Sequence, residues 1–490
     1  MLAEQSNLYK KFTKDTILAG IATAALGLRG LVLIPILSKT LGAEAYGIWS
    51  QIQVIIPSLV FVALLQLGSA MYRFLPAETN KDKISAGFFS ILAVTSLTSV
   101  ILSVLVFILA EPIAAAVFGG AQAAPFVKLA AFLVLLTTLD EMIRYYFVTF
   151  RQIAKYSIFY IAQIVGEVAL VAYLVFSGFG LYGAIAALLV IRAVLFIIGF
   201  LVIKPQIKLR TPSLSVIKPY LSFSLPLVST GLCYWIWTSS DRYTIGHFLG
   251  IEAVGIYSAA YALGTMIEFF YYPLSIILTP SISYLYDNNK IQEVKTHLKY
   301  TLKLYLLFAI PGAFGVSILA KSVLVTLATP EFATGWTIVA VIALGTVLLD
   351  CGYIFSQVLF LFKKTKAIGL IYIASATINL VMNIILVPVM GILGAAISAL
   401  ATFMIMLVAN SIISFKQLSF EVDWKFIAKA IISALIMGAV LWALSPTGAV
   451  NILISIVVGA IIYFAVLMLL RGFTKQEYNL LKDVLRYPKN

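Results

Sequence analysis

The sequence predicts an all-α polytopic membrane protein with about fourteen transmembrane helices, and three observations carry that expectation. Of the 490 residues, 62% are hydrophobic and only 11% are charged, and the mean hydropathy is +1.04. A soluble domain devotes about 25% of its residues to charge, so this chain has too few charged groups to clothe a soluble surface of its size. The apolar residues fall in long continuous runs, each near the roughly 20 residues a helix needs to cross about 30 Å of hydrocarbon. The basic residues, in turn, concentrate between alternate runs.

The runs lie at 15–37, 46–72, 84–110, 125–150, 156–177, 179–203, 220–245, 253–283, 300–322, 336–362, 367–390, 392–415, 426–445 and 449–470. They are continuous, whereas a β-barrel would show short alternating segments. Met1–Lys14 is polar and ends in Lys10, Lys11 and Lys14. The apolar run behind it is too long for a signal h-region, so it is expected to stay as the first helix. Cys233 and Cys351 sit inside apolar runs and form no CxxC motif or disulfide framework. His247 and His297 are too few and too scattered for a metal site, so no metal or organic cofactor is expected. No GxxxxGK[ST] segment occurs, which excludes a nucleotide-driven motor in this chain alone.

Placing the N-terminus in the cytoplasm puts 27 of the 34 basic residues in inner segments. Outer segments then hold three, Lys39, Lys128 and Lys321, and the runs themselves hold Arg29, Arg144, Arg192 and Arg242. By the positive-inside rule both ends are cytoplasmic and the number of crossings is even. The net charge of +14 is thus a topology signal that also suits an anionic inner leaflet. It does not point to nucleic acid.

Two motifs recur. Leu41-Gly-Ala-Glu-Ala-Tyr-Gly-Ile-Trp-Ser50 matches Leu249-Gly-Ile-Glu-Ala-Val-Gly-Ile-Tyr-Ser258 at seven of ten positions, 208 residues apart. Gly180-Leu-Tyr-Gly-Ala184 matches Gly391-Ile-Leu-Gly-Ala395 at an offset of 211. Each motif falls at an expected outer hairpin, where glycine permits a sharp turn and close helix approach. Because both copies face the same way, each half holds an even number of runs, here six. The expected architecture is two six-helix lobes related by a parallel pseudo-twofold repeat. The N-lobe is 1–203, a basic cytoplasmic linker 204–219, the C-lobe 220–415, two appended helices 416–470 and a cytoplasmic tail 471–490.

The pattern Arg29-x5-Pro35-x5-Leu41-Gly42-x4-Gly47 resembles the opening of prokaryotic polysaccharide and O-antigen flippases. These are the Wzx-type members of the multidrug/oligosaccharidyl-lipid/polysaccharide (MOP) exporter superfamily. Asp241-Arg242 followed by Gly255-x-Tyr257-x3-Tyr261 is similar as well, and so is Asn379-x3-Asn383-x4-Pro388-x2-Gly391-x2-Gly394-Ala395. The resemblance implies alternating-access translocation of a polyprenyl-phosphate- or pyrophosphate-linked oligosaccharide from the cytoplasmic to the outer leaflet. Implied partners are that substrate, membrane lipids and other polysaccharide-assembly proteins. A cation-coupled multidrug or metabolite exporter of the same superfamily is the alternative. An enzyme of polysaccharide assembly is disfavoured, because the outer loops are short and the longest, around Glu111–Ala124, holds one carboxylate.

Charges inside the runs must face partners or water, since each costs roughly 2.5–3.5 kcal/mol or more against lipid. Asp140 and Glu141 stand i,i+4 and i,i+3 from Arg144 and are expected to pair with it. Glu167 and Arg192 lie at similar depth on either side of one hairpin and form a second expected pair. Asp241 and Arg242 are adjacent and so are expected to point different ways. Arg29 has no acidic neighbour on its own run, leaving a phosphate contact in a hydrated cavity or a bond to another helix. Arg29, Arg192 and Arg242 are the candidate substrate-binding residues, a guanidinium being suited to bidentate phosphate contact. An empty cavity bearing the charge of Arg29 would also be drawn back inward by an inside-negative potential. Glu268 and Asp350 have no nearby base and lie at matched depth. With Asn379 and Asn383 as neutral oxygen ligands they are the candidate ion-coupling residues, for a proton or Na⁺; separate carboxyls held neutral by hydrogen bonds are the alternative.

The topology is tested by cysteines placed at Asn80 and Asn288. Both should react with impermeant thiol reagents from the cytoplasmic side alone, and labelling of either from outside intact cells would overturn the assignment.

Overall fold

The computed structural model describes residues 2–473, apart from the side chains of 2–28, 77, 227 and 229–234. Of the expected tail at 471–490, residues 474–490 lie outside that range.

Helices cover every apolar run, and no strand occurs among the described residues. In chain order they are α1 (Leu2–Leu64), α2 (Leu67–Phe74), α3 (Lys81–Ile108), α4 (Ala110–Val117), α5 (Ala124–Thr149), α6 (Ile153–Leu174), α7 (Gly180–Ile203) and α8 (Leu214–Leu249). They continue with α9 (Ile251–Gly264), α10 (Glu268–Asp287), α11 (Ile291–Leu327), α12 (Trp336–Leu361), α13 (Thr365–Met390), α14 (Ile392–Gln417), α15 (Trp424–Leu444) and α16 (Ala449–Leu469). Among the described residues, ten stretches are long and apolar enough to cross a membrane. One of them, Ile153–Gln206, contains two packed helices, α6 and α7, joined by a turn at Gly178 and Gly180.

On the outer helices, side-chain placement is the reverse of that on a water-exposed helix. On α3, Ser85, Ser90, Thr95 and Ser99 are buried, whereas Leu97, Ile101 and Ile108 are exposed. Hydroxyls turn inward and pair locally, as Ser85 Oγ does with the Lys81 carbonyl at 2.7 Å and Thr95 Oγ1 with the Ile91 carbonyl at 3.0 Å. α16 likewise exposes Val450, Leu453, Ile461 and Leu469. Outward leucine and isoleucine with inward serine and threonine is the arrangement hydrocarbon selects. The chain is a multi-pass membrane protein.

The helices gather into two compact units, Met1–Ala259 with Tyr372–Ser398, and Ala260–Ile371 with Ala399–Asn490. In the first, α5 packs against α1, α3, α6 and α7. It carries Lys128, Asp140, Glu141 and Arg144, so a central place is what its composition requires: its charges can meet protein and avoid lipid. The segment after α7 is strapped to α3. The Lys208 and Ser213 amides donate to Ser85 Oγ and Ser90 Oγ at 3.0 Å each. Lys208 Nζ and Arg210 Nη2 lie 3.2 and 2.9 Å from Asp82 Oδ1.

In the second unit α11 is central, packed against α10, α12, α15 and α16. Tyr305, Ile354, Val358, Ala430, Ala434 and Tyr463 share its core, so the last two helices are integral to that unit. At one corner Lys299 bonds Glu421 at 2.6 Å and Lys303 bonds Asp423 at 3.1 Å. The hydrogen bond from Lys299 holds the Glu421 carboxyl below the usual carboxylate range.

The repeated motifs adopt repeated geometry. α1 breaks at Gly42 with φ 82° and ψ 179°, and α8 ends at Gly250 with φ 85° and ψ 173°. That region of backbone space belongs to glycine. Five residues further on, the two copies meet. A Cβ on Gly47 would stand 2.0 Å from the Ile251 carbonyl oxygen, and one on Gly255 would stand 2.4 Å from the Ala43 carbonyl oxygen. The contact is reciprocal, as a pseudo-twofold repeat demands. Gly47→Ala should therefore cost about 1–3 kcal/mol by overpacking, read as a fall of several degrees in Tm in detergent. Gly30→Ala, where nothing lies within 4 Å, should leave Tm unchanged. Equal Tm values for the two variants would contradict the close approach.

Candidate functional site

Four helices of the first unit deliver seven polar side chains to one buried network. Asp140, Glu141 and Arg144 come from α5, Gln163 and Glu167 from α6, Arg192 from α7 and Arg29 from α1. Helical spacing puts Asp140 and Arg144 on one face, and Gln163 and Glu167 on one face. Arg144 Nη1 lies 2.9 Å from Asp140 Oδ2. Arg144 also bonds Glu141 and Gln163 Oε1. Asp140 Oδ2 accepts a second bond from Arg192 Nη1 at 3.0 Å. Glu167 bridges two arginines: Oε1 lies 3.2 Å from Arg192 Nη2, and Oε2 lies 3.1 Å from Arg29 Nη1. Gln163 Nε2 donates to Glu167 Oε1 at 3.1 Å.

Among the described residues this network sets three guanidiniums against three carboxylates. Its exposure is uneven. The Glu167 side chain is 0% accessible and Asp140 1%, while Arg29 and Arg192 each keep 13%. Glu141, at 32%, is the most accessible member. Two guanidiniums converging on one position suit the oxygens of a phosphate.

The expected pairs of Arg144 with Asp140 and Glu141, and of Arg192 with Glu167, are both present. Arg29 takes the interhelical bond, to Glu167. Two members went unread in the sequence, the Asp140–Arg192 link and Gln163. The signal for Gln163 was its place one helical turn before Glu167 in an otherwise apolar run.

Arg242 is held elsewhere in the unit. Its backbone amide donates to Asp241 Oδ1 at 2.8 Å, and its Nη1 turns back to the same oxygen at 3.5 Å. Nε donates to Ser258 Oγ at 3.3 Å. Tyr257 Oη donates to Asp241 Oδ2 at 2.7 Å. Adjacent residues expected to diverge are thus joined, because the long arginine side chain folds back over its own turn.

Asn379 and Asn383, on α13, form a polar knot with Ser240 of α8. Ser240 Oγ donates to Asn379 Oδ1 at 2.7 Å, and Asn383 Nδ2 lies 3.1 Å from Ser240 Oγ and 3.0 Å from Asn379 Oδ1. Glu268 and Asp350 belong to the second unit, where tyrosines serve them. Tyr272 Oη donates to Glu268 Oε2 at 3.0 Å, and Tyr305 Oη to Asp350 Oδ2 at 2.8 Å. Asp350 Oδ1 is buried without a hydrogen-bond partner.

Such a repeat, built from apolar helices around buried arginines, defines an α-helical, multi-pass membrane protein. The chain belongs to the polysaccharide biosynthesis protein family, whose model matches residues 12–286, and a MatE model matches residues 226–385. A probable low-salt glycan biosynthesis flippase of Haloferax volcanii is 24% identical over 54% of this chain and 56% of its own length. The probable flippase AglR of the same organism is 26% identical over 56% of this chain and 60% of its own length. The chain therefore spans a little over half the length of the curated relatives it matches. Among solved structures, lipid II flippase MurJ in an inward closed conformation superposes with a TM-score of 0.76 at 15% identity, over 94% of this chain and 99% of that one. An inward-facing multidrug resistance MATE family transporter of the MOP superfamily gives 0.63 at 15% identity, over 81% and 94%. The fold is that of the MOP superfamily, as the motif resemblance implied.

Proposed function

We propose that the protein is a flippase. It carries a polyprenyl-phosphate- or pyrophosphate-linked oligosaccharide from the cytoplasmic to the outer leaflet of the cell membrane by alternating access, with both termini cytoplasmic and no enzymatic step. Family membership and the flippase names of its relatives support the reading. The observation that carries the substrate class is the convergence of Arg29 and Arg192 on one position, the Glu167 carboxylate. A diphosphate bearing about two negative charges cannot cross hydrocarbon bare, and an inside-negative potential contributes about 2.3 kcal/mol per charge per 100 mV to its outward movement. The balanced network changes one expectation about the cycle. With three carboxylates beside three guanidiniums among the described residues, the empty network is balanced, which favours a potential acting on the loaded step rather than on the return.

A proton or Na⁺ at Glu268 and Asp350 is the proposed coupling ion, supported by the unpartnered Asp350 oxygen. Asn379 and Asn383 lie in the other unit and support α8 through Ser240. Membrane lipids and other polysaccharide-assembly proteins are the proposed partners. The MatE match at 226–385 favours a second reading, a cation-coupled exporter; transport of a fluorescent drug without movement of lipid-linked oligosaccharide would select it.

In proteoliposomes under an imposed potential, Arg29→Ala should slow flipping by about tenfold or more, the loss of one charge-assisted bond. Arg29→Lys should retain part of the rate. Wild-type rates in Arg29→Ala, at matched protein and folding, would return Arg29 to a structural role. Asp350→Asn should remove the dependence of the maximal flipping rate, read at saturating substrate, on pH or Na⁺ while leaving substrate binding measurable. An unchanged dependence on both would remove the coupling assignment.

A further inference from the structure

We infer that Glu167 is an exchangeable counter-ion, holding in the empty protein the place a diphosphate takes on Arg29 and Arg192, and gaining a proton when displaced. The inference rests on the flippase reading's phosphate contact at these two arginines and adds how that contact is made and coupled.

The geometry is that of a substrate mimic. Each carboxylate oxygen of Glu167 meets a different guanidinium, at 3.1 and 3.2 Å, as two oxygens of one phosphate would. The network's hold on its three arginines is unequal. Arg144 is 5% accessible and engaged by Asp140, Glu141 and Gln163. Arg29 has Glu167 as its carboxylate partner among the described residues, and that contact is close without hydrogen-bond alignment. Arg192 keeps Asp140 at 3.0 Å, so it stays in place while Glu167 leaves. A phosphate carries more charge than a carboxylate and offers more acceptor oxygens, so it out-competes Glu167 at Arg29 and Arg192.

The freed carboxylate stays in a network with Arg29 from α1, Gln163 from its own helix and Arg192 from α7, and through them with Asp140, Glu141 and Arg144 from α5, Tyr160 lying beside Arg144. Once phosphate neutralises Arg29 and Arg192, and with Arg144 committed to its own two acids, Glu167 retains a neutral amide donor. A buried carboxylate in that position neutralises. It takes one proton from hydronium in the solvent: the carboxyl O–H bond forms as one O–H bond of hydronium breaks, and water is left. Loading the anion thus loads a proton.

The test uses the full-length protein in nanodiscs, with geranylgeranyl diphosphate as probe. Calorimetry in buffers of differing ionisation enthalpy counts protons exchanged on binding. Wild type should take up about one more proton per bound diphosphate than Glu167→Gln, and its affinity should fall about tenfold more per unit rise in pH. Glu167→Gln should bind at least as tightly as wild type. Equal proton counts, or lost binding in Glu167→Gln at unchanged Tm, would overturn the inference while wild-type binding leaves the flippase reading standing. Absence of binding by the wild type would overturn both. Should Glu167→Gln not fold, the wild type decides alone. At about pH 8, some two units above the second phosphate pKa of about 6, the diphosphate has almost no proton left to release, so net uptake supports Glu167 as the acceptor, and net release or no exchange overturns it.

Discussion

A guanidinium or carboxylate in hydrocarbon costs roughly 2.5–3.5 kcal/mol or more unless something matches it, and the first unit is arranged around that constraint. It explains why α5, the helix with two carboxylates and an arginine in its second half, lies at the centre of its neighbours while α3, uncharged beyond Lys83, and α16, uncharged throughout, present leucine and isoleucine outward. It also explains why the network spans four helices. One helix face can pair Asp140 with Arg144, but Glu167 on α6 needs cations from α1 and α7. Those bonds hold α1, α6 and α7 in register with α5. A protein that binds an anion with such arginines must keep them satisfied when the anion is absent, and an internal carboxylate does that. Breaking a buried pair leaves an uncompensated charge, so exchange of one anion for another is cheaper than opening an empty cationic site.

The repeat supplies a second constraint. Gly42 and Gly250 turn the chain in the same unusual backbone conformation, and Gly47 and Gly255 bring the backbones of the two copies together. Without side chains at these points, carbonyl oxygens approach within a distance no Cβ tolerates. Small residues at helix crossings are how membrane helices approach closely, since lipid offers no hydrophobic driving force between them.

Much of this was legible in the sequence, for physical reasons that also mark where legibility stopped. Apolar runs of bilayer length and the basic split are properties of the chain alone, so every run became a helix. The bonds from Arg144 to Asp140 and Glu141 follow from helical spacing, and that between Arg192 and Glu167 from equal depth on one hairpin. The Arg29–Glu167 and Asp140–Arg192 bonds depend on which helix packs beside which, and nothing in the spacing encodes that. Asn379 and Asn383 read as companions of Glu268 and Asp350 because all four are polar groups in apolar runs. Packing instead ties the asparagines to Ser240 in the first unit, and gives the carboxylates tyrosines in the second.

The most direct measurement is a structure of the full-length protein in nanodiscs with a polyprenyl diphosphate bound. The account predicts phosphate oxygens on the Arg29 and Arg192 guanidiniums, the Glu167 carboxylate withdrawn from both, and Asp140 still bonded to Arg192. A bound diphosphate lying elsewhere, with Glu167 still 3.1 Å from Arg29 and 3.2 Å from Arg192, would contradict it.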